Sequence, residues 1–112
     1  MKYIRTKNKI LLVRNEDKSW YYVWDIRKKA YIVVSKKHII NQADTIEELC
    51  DGYVVRRYVM DEPCHWFYIT KEKMKADISL RNSAYTIFGA IWTDKGLIYV
   101  AKMNEKGELE LL

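Results

Sequence analysis

The chain has a single proline, Pro63, and only four glycines, Gly52, Gly89, Gly96 and Gly107. That poverty excludes a proline-rich linker, a collagen-like repeat and any low-complexity segment. No shift in composition marks a domain boundary, so residues 1–112 read as one domain. Cysteine is equally scarce. Cys50 and Cys64 are too few for the disulfide framework of a small secreted domain. Both thiols therefore read as reduced, with Cys50 packed and inert. No apolar run approaches the roughly 20 residues that cross a bilayer. The basic opening Met1–Lys7 has no apolar stretch of leader type behind it. The expectation is a cytoplasmic protein with no membrane partner. A phosphate-cradling glycine loop, a catalytic signature and metal-ligand spacing are all missing, so no enzymatic activity and no cofactor are expected.

What the chain does have is core material. Nearly half its residues are apolar and 31% are charged, which suits a globular domain and not a disordered chain. The net charge of +5 is unevenly spread. Residues 1–40 hold 11 Lys and Arg against Glu16, Asp17 and Asp25, while the remaining residues are close to balance. Such asymmetry speaks to partners and not to fold.

Strand character dominates. Lys9–Asn15, Trp20–Trp24 and Tyr31–Val34 are separated by polar or basic breaks and predict a meander. Tyr53–Met60 and His65–Ile69 follow, interrupted by Asp61-Glu62-Pro63. Tyr85–Trp92, Leu97–Lys102 and Glu108–Leu112 form two further hairpins, their turns closing on Gly96 and Gly107. In the last strand Leu109 and Leu111 alternate with Glu108 and Glu110, the pattern of an edge strand with one wet face.

Two stretches predict short helices. Over 44–51, Asp44 or Thr45 starts a capping box, Ile46, Leu49 and Cys50 form one apolar face, and Gly52 ends it in a left-handed conformation. Over 71–77, Thr70 caps a helix with Met74 and Ile78 on one side. The fold class is α+β: antiparallel β-meanders with one or two short helices packed on the sheet.

The strings from Gly89 to Leu112, Met1 to Lys7 and Gln42 to Asp51 together resemble small accessory proteins encoded by phages and prophages of Gram-positive bacteria. The matching pieces are structural, so no active site is implied. The resemblance implies a mobile-element origin, the cytoplasm of an infected or lysogenic host, and a role in modulating host machinery, anti-CRISPR-like inhibition of a defence system included.

Two features of the first third point outward. At the two-residue period of a strand, Trp20, Tyr22 and Trp24 share one face, and Tyr21 and Val23 the other. Either both faces are covered, or one leaves large aromatics exposed as a binding surface. The basic residues Arg5, Lys7, Lys9, Arg14, Lys18, Arg27, Lys28, Lys29, Lys36 and Lys37 suit an acidic protein, a ribonucleoprotein or a nucleic acid. They suit a solvated surface as well. Cys64-His65 lacks an orienting partner, and His38, Cys50, Cys64 and His65 lack zinc spacing. Asp61, Glu62 and Asp94 fall in turns, where carboxylates are solvated or capping.

The contact residues expected are Trp20, Tyr22, Trp24, Arg27, Lys28 and Lys29. They would serve a non-catalytic protein that binds a host protein or ribonucleoprotein. The alternative is a small nucleic-acid-binding module using the basic N-terminal third. Oligomeric state stays open, because an edge strand either pairs with another copy or simply ends.

Overall fold

The computed structural model describes residues 1–25, 28–57, 65–77 and 85–112, and of His65 the backbone alone. Strands account for most of it, in two antiparallel five-stranded sheets with two short helices. The chain divides into two compact units, Met1–Leu49 and Cys50–Glu110. No helix among the described residues is long and apolar enough to cross a membrane.

The first unit holds β1 (Tyr3–Arg5), β2 (Ile10–Glu16), β3 (Trp20–Asp25), β4 (Ala30–Ser35) and β5 (Asn41–Ala43) in the order β4-β3-β2-β1-β5. The first four strands run up and down, and β2, β3 and β4 are the three strands of the expected meander. β1 and β5, at three residues each, are too short to show a period. A 3-10 turn over Lys36–His38, capped by the Ser35 hydroxyl, leads from β4 at one edge to β5 at the other. Ile4, Leu11, Tyr21 and Val23 are buried together, with Val13, Ile32, Val34 and Ile39 against them. α1 (Ile46–Leu49) closes the unit. It is shorter than the expected 44–51. The capping box is nevertheless formed at Thr45, whose hydroxyl accepts from Glu48 N–H at 3.3 Å while Glu48 accepts from Thr45 N–H at 3.4 Å.

Gly52 corrects one expectation. It does not end α1 in a left-handed conformation but begins β6, where a Cβ would lie 2.6 Å from the Ile69 carbonyl oxygen. Glycine is needed there for close approach, not for a positive φ.

The second unit holds β6 (Gly52–Arg57), β7 (His65–Thr70), β8 (Tyr85–Thr93), β9 (Gly96–Met103) and β10 (Leu109–Leu111), in the order β10-β9-β8-β6-β7. Gly96 and Gly107 have φ of 101° and 81°, the left-handed geometry expected of the two hairpin turns. β10 lies at the sheet edge, as its alternating pattern requires. α2 (Lys71–Ala76) follows β7, with the Thr70 hydroxyl accepting from Lys73 N–H at 3.2 Å. Its Met74 is fully buried with Tyr53, Val55, Ile69 and Ile87. The end of the expected 53–60 strand, Asp61, Glu62, Pro63, Cys64 and Ile78 lie outside the described residues. The Cys50 side chain is buried, as expected.

Candidate macromolecule-binding surface

β3 splits cleanly by parity. Tyr21, Val23 and Asp25 are buried, whereas Trp20 is 44% exposed and Tyr22 and Trp24 are half-buried on the opposite face. The register with β4 sets Trp20 against Ser35, Tyr22 against Val33 and Trp24 against Tyr31. Val33 and Tyr31 thus join the stripe, and Tyr31 is 65% exposed. The Trp24 and Tyr31 rings meet edge to face at 4.9 Å, a geometry their quadrupoles favour. On the other side of β3, a register shift between Val13 and Asn15 leaves Arg14 as the extra, exposed residue of a bulge.

The turn before β3 fixes the start of the stripe. One oxygen of Asp17 accepts from the N–H groups of Ser19 and Trp20 at 2.9 Å, and the other accepts the Tyr22 hydroxyl at 2.8 Å. The Ser19 N–H first, and then the Tyr22 hydroxyl, hold Asp17 below the usual carboxylate range. The same bond pushes the Tyr22 phenol up.

Beyond the stripe lies the β3–β4 turn. Lys28 and Lys29 are exposed there, and the buried Asp25 carboxylate accepts from Lys28 N–H at 3.1 Å. Lys29 has a φ of 51°, the one positive value at a non-glycine position among the described residues. Arg27 lies outside the described residues. Trp20, Tyr22, Trp24, Lys28 and Lys29 are therefore brought together on one hairpin.

Other basic residues are occupied elsewhere. Lys2 and Lys36 bind opposite oxygens of Glu16 at 2.8 and 2.7 Å and sit 5.5 and 4.9 Å from the centroid of the Tyr21 ring. Tyr21 belongs to the buried face, and its hydroxyl donates to Gln42 Oε1 at 2.9 Å. Glu16 is held below its ordinary pKa by hydrogen bonds from Lys2 and then Lys36, and Lys2 is raised by the same contact. Arg5 donates to the Leu49 carbonyl at 3.1 Å. These side chains hold the first unit together.

A second aromatic group has no signature within any one strand. In the second unit the rings of Trp66, Phe88 and Tyr99 stack at 5.3 to 5.9 Å, and the Arg56 guanidinium lies 5.1 Å over Trp66. Their signal is spread over β7, β8 and β9, so only sheet pairing assembles it. The β9–β10 hairpin sets Glu110 opposite Lys102, because Asn104 N–H donates to Glu108 and Leu112 N–H to Val100. Among the described residues no group of three or more His, Cys, Asp or Glu is placed to hold a metal ion. Comparison with protein-family models, with curated proteins and with solved structures finds no match.

Proposed function

We propose that this chain works without catalysis, as a binding module whose contact surface is the outer face of the β3–β4 hairpin. The observation that carries the reading is the parity of β3. Tyr21 and Val23 satisfy the core, and Trp20, Tyr22 and Trp24 stand with Tyr31 and Val33 on the other face. Large aromatics with few rotatable bonds are the side chains that dominate interface energetics when a partner desolvates them. Two exposed lysines at the tip add charge steering. The resemblance to phage and prophage accessory proteins supplies the setting: a modulator of a host macromolecule, with inhibition of a defence system as its concrete form.

The test is capture from bacterial lysate by the wild type and by a Trp20→Ala, Trp24→Ala double variant. Circular dichroism establishes that the variant keeps its strands. A component retained by the wild type and lost by the folded variant is the expected result. Equal retention by both would remove this face from the proposal.

A further inference from the structure

The up-and-down order of the first four strands brings two turns to one end of the first sheet. The β1–β2 turn, closed by Thr6 N–H donating to the Lys9 carbonyl at 2.9 Å, carries Lys7 and Lys9. The β3–β4 turn, at the same end, carries Lys28 and Lys29. Between its flanking strands neither turn has an acidic residue in its sequence, and the Asp25 carboxylate at the base of the second is buried and accepts from Lys28 N–H. At the opposite end the β2–β3 turn holds Asp17 and Lys18 beside Glu16, whose two carboxylate oxygens bind Lys2 and Lys36. An open pocket of about 500 Å³ joins Lys7 and Asn8 to Lys37 and His38.

The aromatic pair nearest this basic end is Trp24–Tyr31, the last cross-strand pair but one before the tip. Lys29 adds a second indication. It occupies a left-handed backbone position of the kind that the chain's β8–β9 and β9–β10 turns fill with Gly96 and Gly107. A lysine there sacrifices backbone ease and keeps a charge.

We infer that this end of the first sheet binds a single-stranded nucleic acid. Lys7, Lys9, Lys28 and Lys29 would hold phosphates, and the exposed Tyr31 ring, braced by Trp24, would stack on a base. The inference rests on the proposed function and names its partner. Charge complementarity selects the occupant. Residues 1–49 carry 11 Lys and Arg against six Asp and Glu, while residues 50–112 carry nine of each. The Trp66 cluster, in that neutral half, lacks the same claim on a polyanion.

The experiment is fluorescence anisotropy with labelled oligo-dT and oligo-U of about 12 nucleotides, and a duplex of equal length, across a salt series. Four phosphate contacts predict a log–log salt slope of about −3 on single strands. Lys28→Ala with Lys29→Ala reduces its magnitude by about 1.4. Tyr31→Ala, at a site 65% exposed, weakens single-strand binding about fivefold or more while circular dichroism stays unchanged. Lys29→Gly keeps the turn and still weakens binding.

Three results would overturn the inference: no binding at about 25 mM salt, an unchanged slope in the lysine variant, or duplex binding as tight as single-strand binding with Tyr31→Ala inert. If oligonucleotides fail to bind and a nuclease-resistant protein is lost by the Trp20→Ala, Trp24→Ala variant, the binding face stands and the nucleic-acid partner falls. Loss of neither removes both.

Discussion

A carboxylate and a phenol at the start of β3 show how one residue can set a surface. Asp17 accepts three hydrogen bonds, from Ser19, Trp20 and Tyr22, and so ties the turn to the aromatic stripe. Its folded pKa lies below its unfolded one, so its contribution to stability is present above the unfolded value near pH 4. That contribution is lost as the pH falls through the lower folded value. Asp17→Asn is expected to flatten the acid limb of a thermal-melting series between about pH 5 and pH 2. It should also return the Tyr22 phenol towards its ordinary value, read by ultraviolet titration. An unchanged phenol titration would show that the hydrogen bond does not persist in solution. Lys29 presents the opposite balance. In a left-handed conformation a side chain with a Cβ costs roughly 1 to 2 kcal/mol relative to glycine. Lys29→Gly should therefore raise stability by about 1 kcal/mol in urea unfolding. A loss of stability would mean that the lysine side chain makes a structural contact.

At the scale of elements, the sequence announced strands wherever side-chain period and turn chemistry agreed. Trp20–Trp24 is rich in aromatic and β-branched residues, and the two-residue period of a strand assigns its side chains to two faces. Gly96 and Gly107 marked their turns because only a residue without a Cβ reaches those φ values at low cost. Tyr3–Arg5 and Asn41–Ala43 were not legible, since three residues show no period and their strand state comes from pairing with each other and with β2. Which face of β3 would be buried was likewise undetermined, because Trp-Tyr-Tyr-Val-Trp is apolar on both sides. Packing of Tyr21 and Val23 against Ile4 and Leu11 decides it. The helices illustrate dependence on packing. α2 has six residues, too short to persist alone, and rests on its Thr70 cap and on Met74. Thr70→Ala should cost about 1 kcal/mol, and Met74→Ala about 2 to 5 kcal/mol. Urea unfolding followed by circular dichroism measures both, and an equal effect would contradict the full burial of Met74. At Gly52 the close Ile69 carbonyl leaves no room for a methyl group, so Gly52→Ala should cost about 1 to 3 kcal/mol in the same assay.

Over the whole molecule, charge and aromatic character are distributed differently. Both units expose aromatic rings, Trp20 and Tyr31 in the first and Trp66 and Tyr99 in the second. Only the first unit carries excess positive charge, 11 basic residues against six acidic ones. An apolar surface alone names no partner, whereas an excess of one sign of charge selects the opposite sign and does so more strongly at low salt. Position can be separated from net charge by removing the same number of lysines from each unit. Lys28 and Lys29 sit at the β3–β4 tip, and Lys95 and Lys106 sit exposed in the β8–β9 and β9–β10 turns. Both double alanine variants change the net charge from +5 to +3. If the binding surface is the basic end of the first sheet, Lys28→Ala with Lys29→Ala weakens single-strand binding and flattens its salt dependence. Lys95→Ala with Lys106→Ala leaves both within error. Equal losses from the two variants in the same anisotropy titrations would mean that diffuse net charge attracts the nucleic acid. The tip would then have no special role, and the aromatic face beside it would need a different partner.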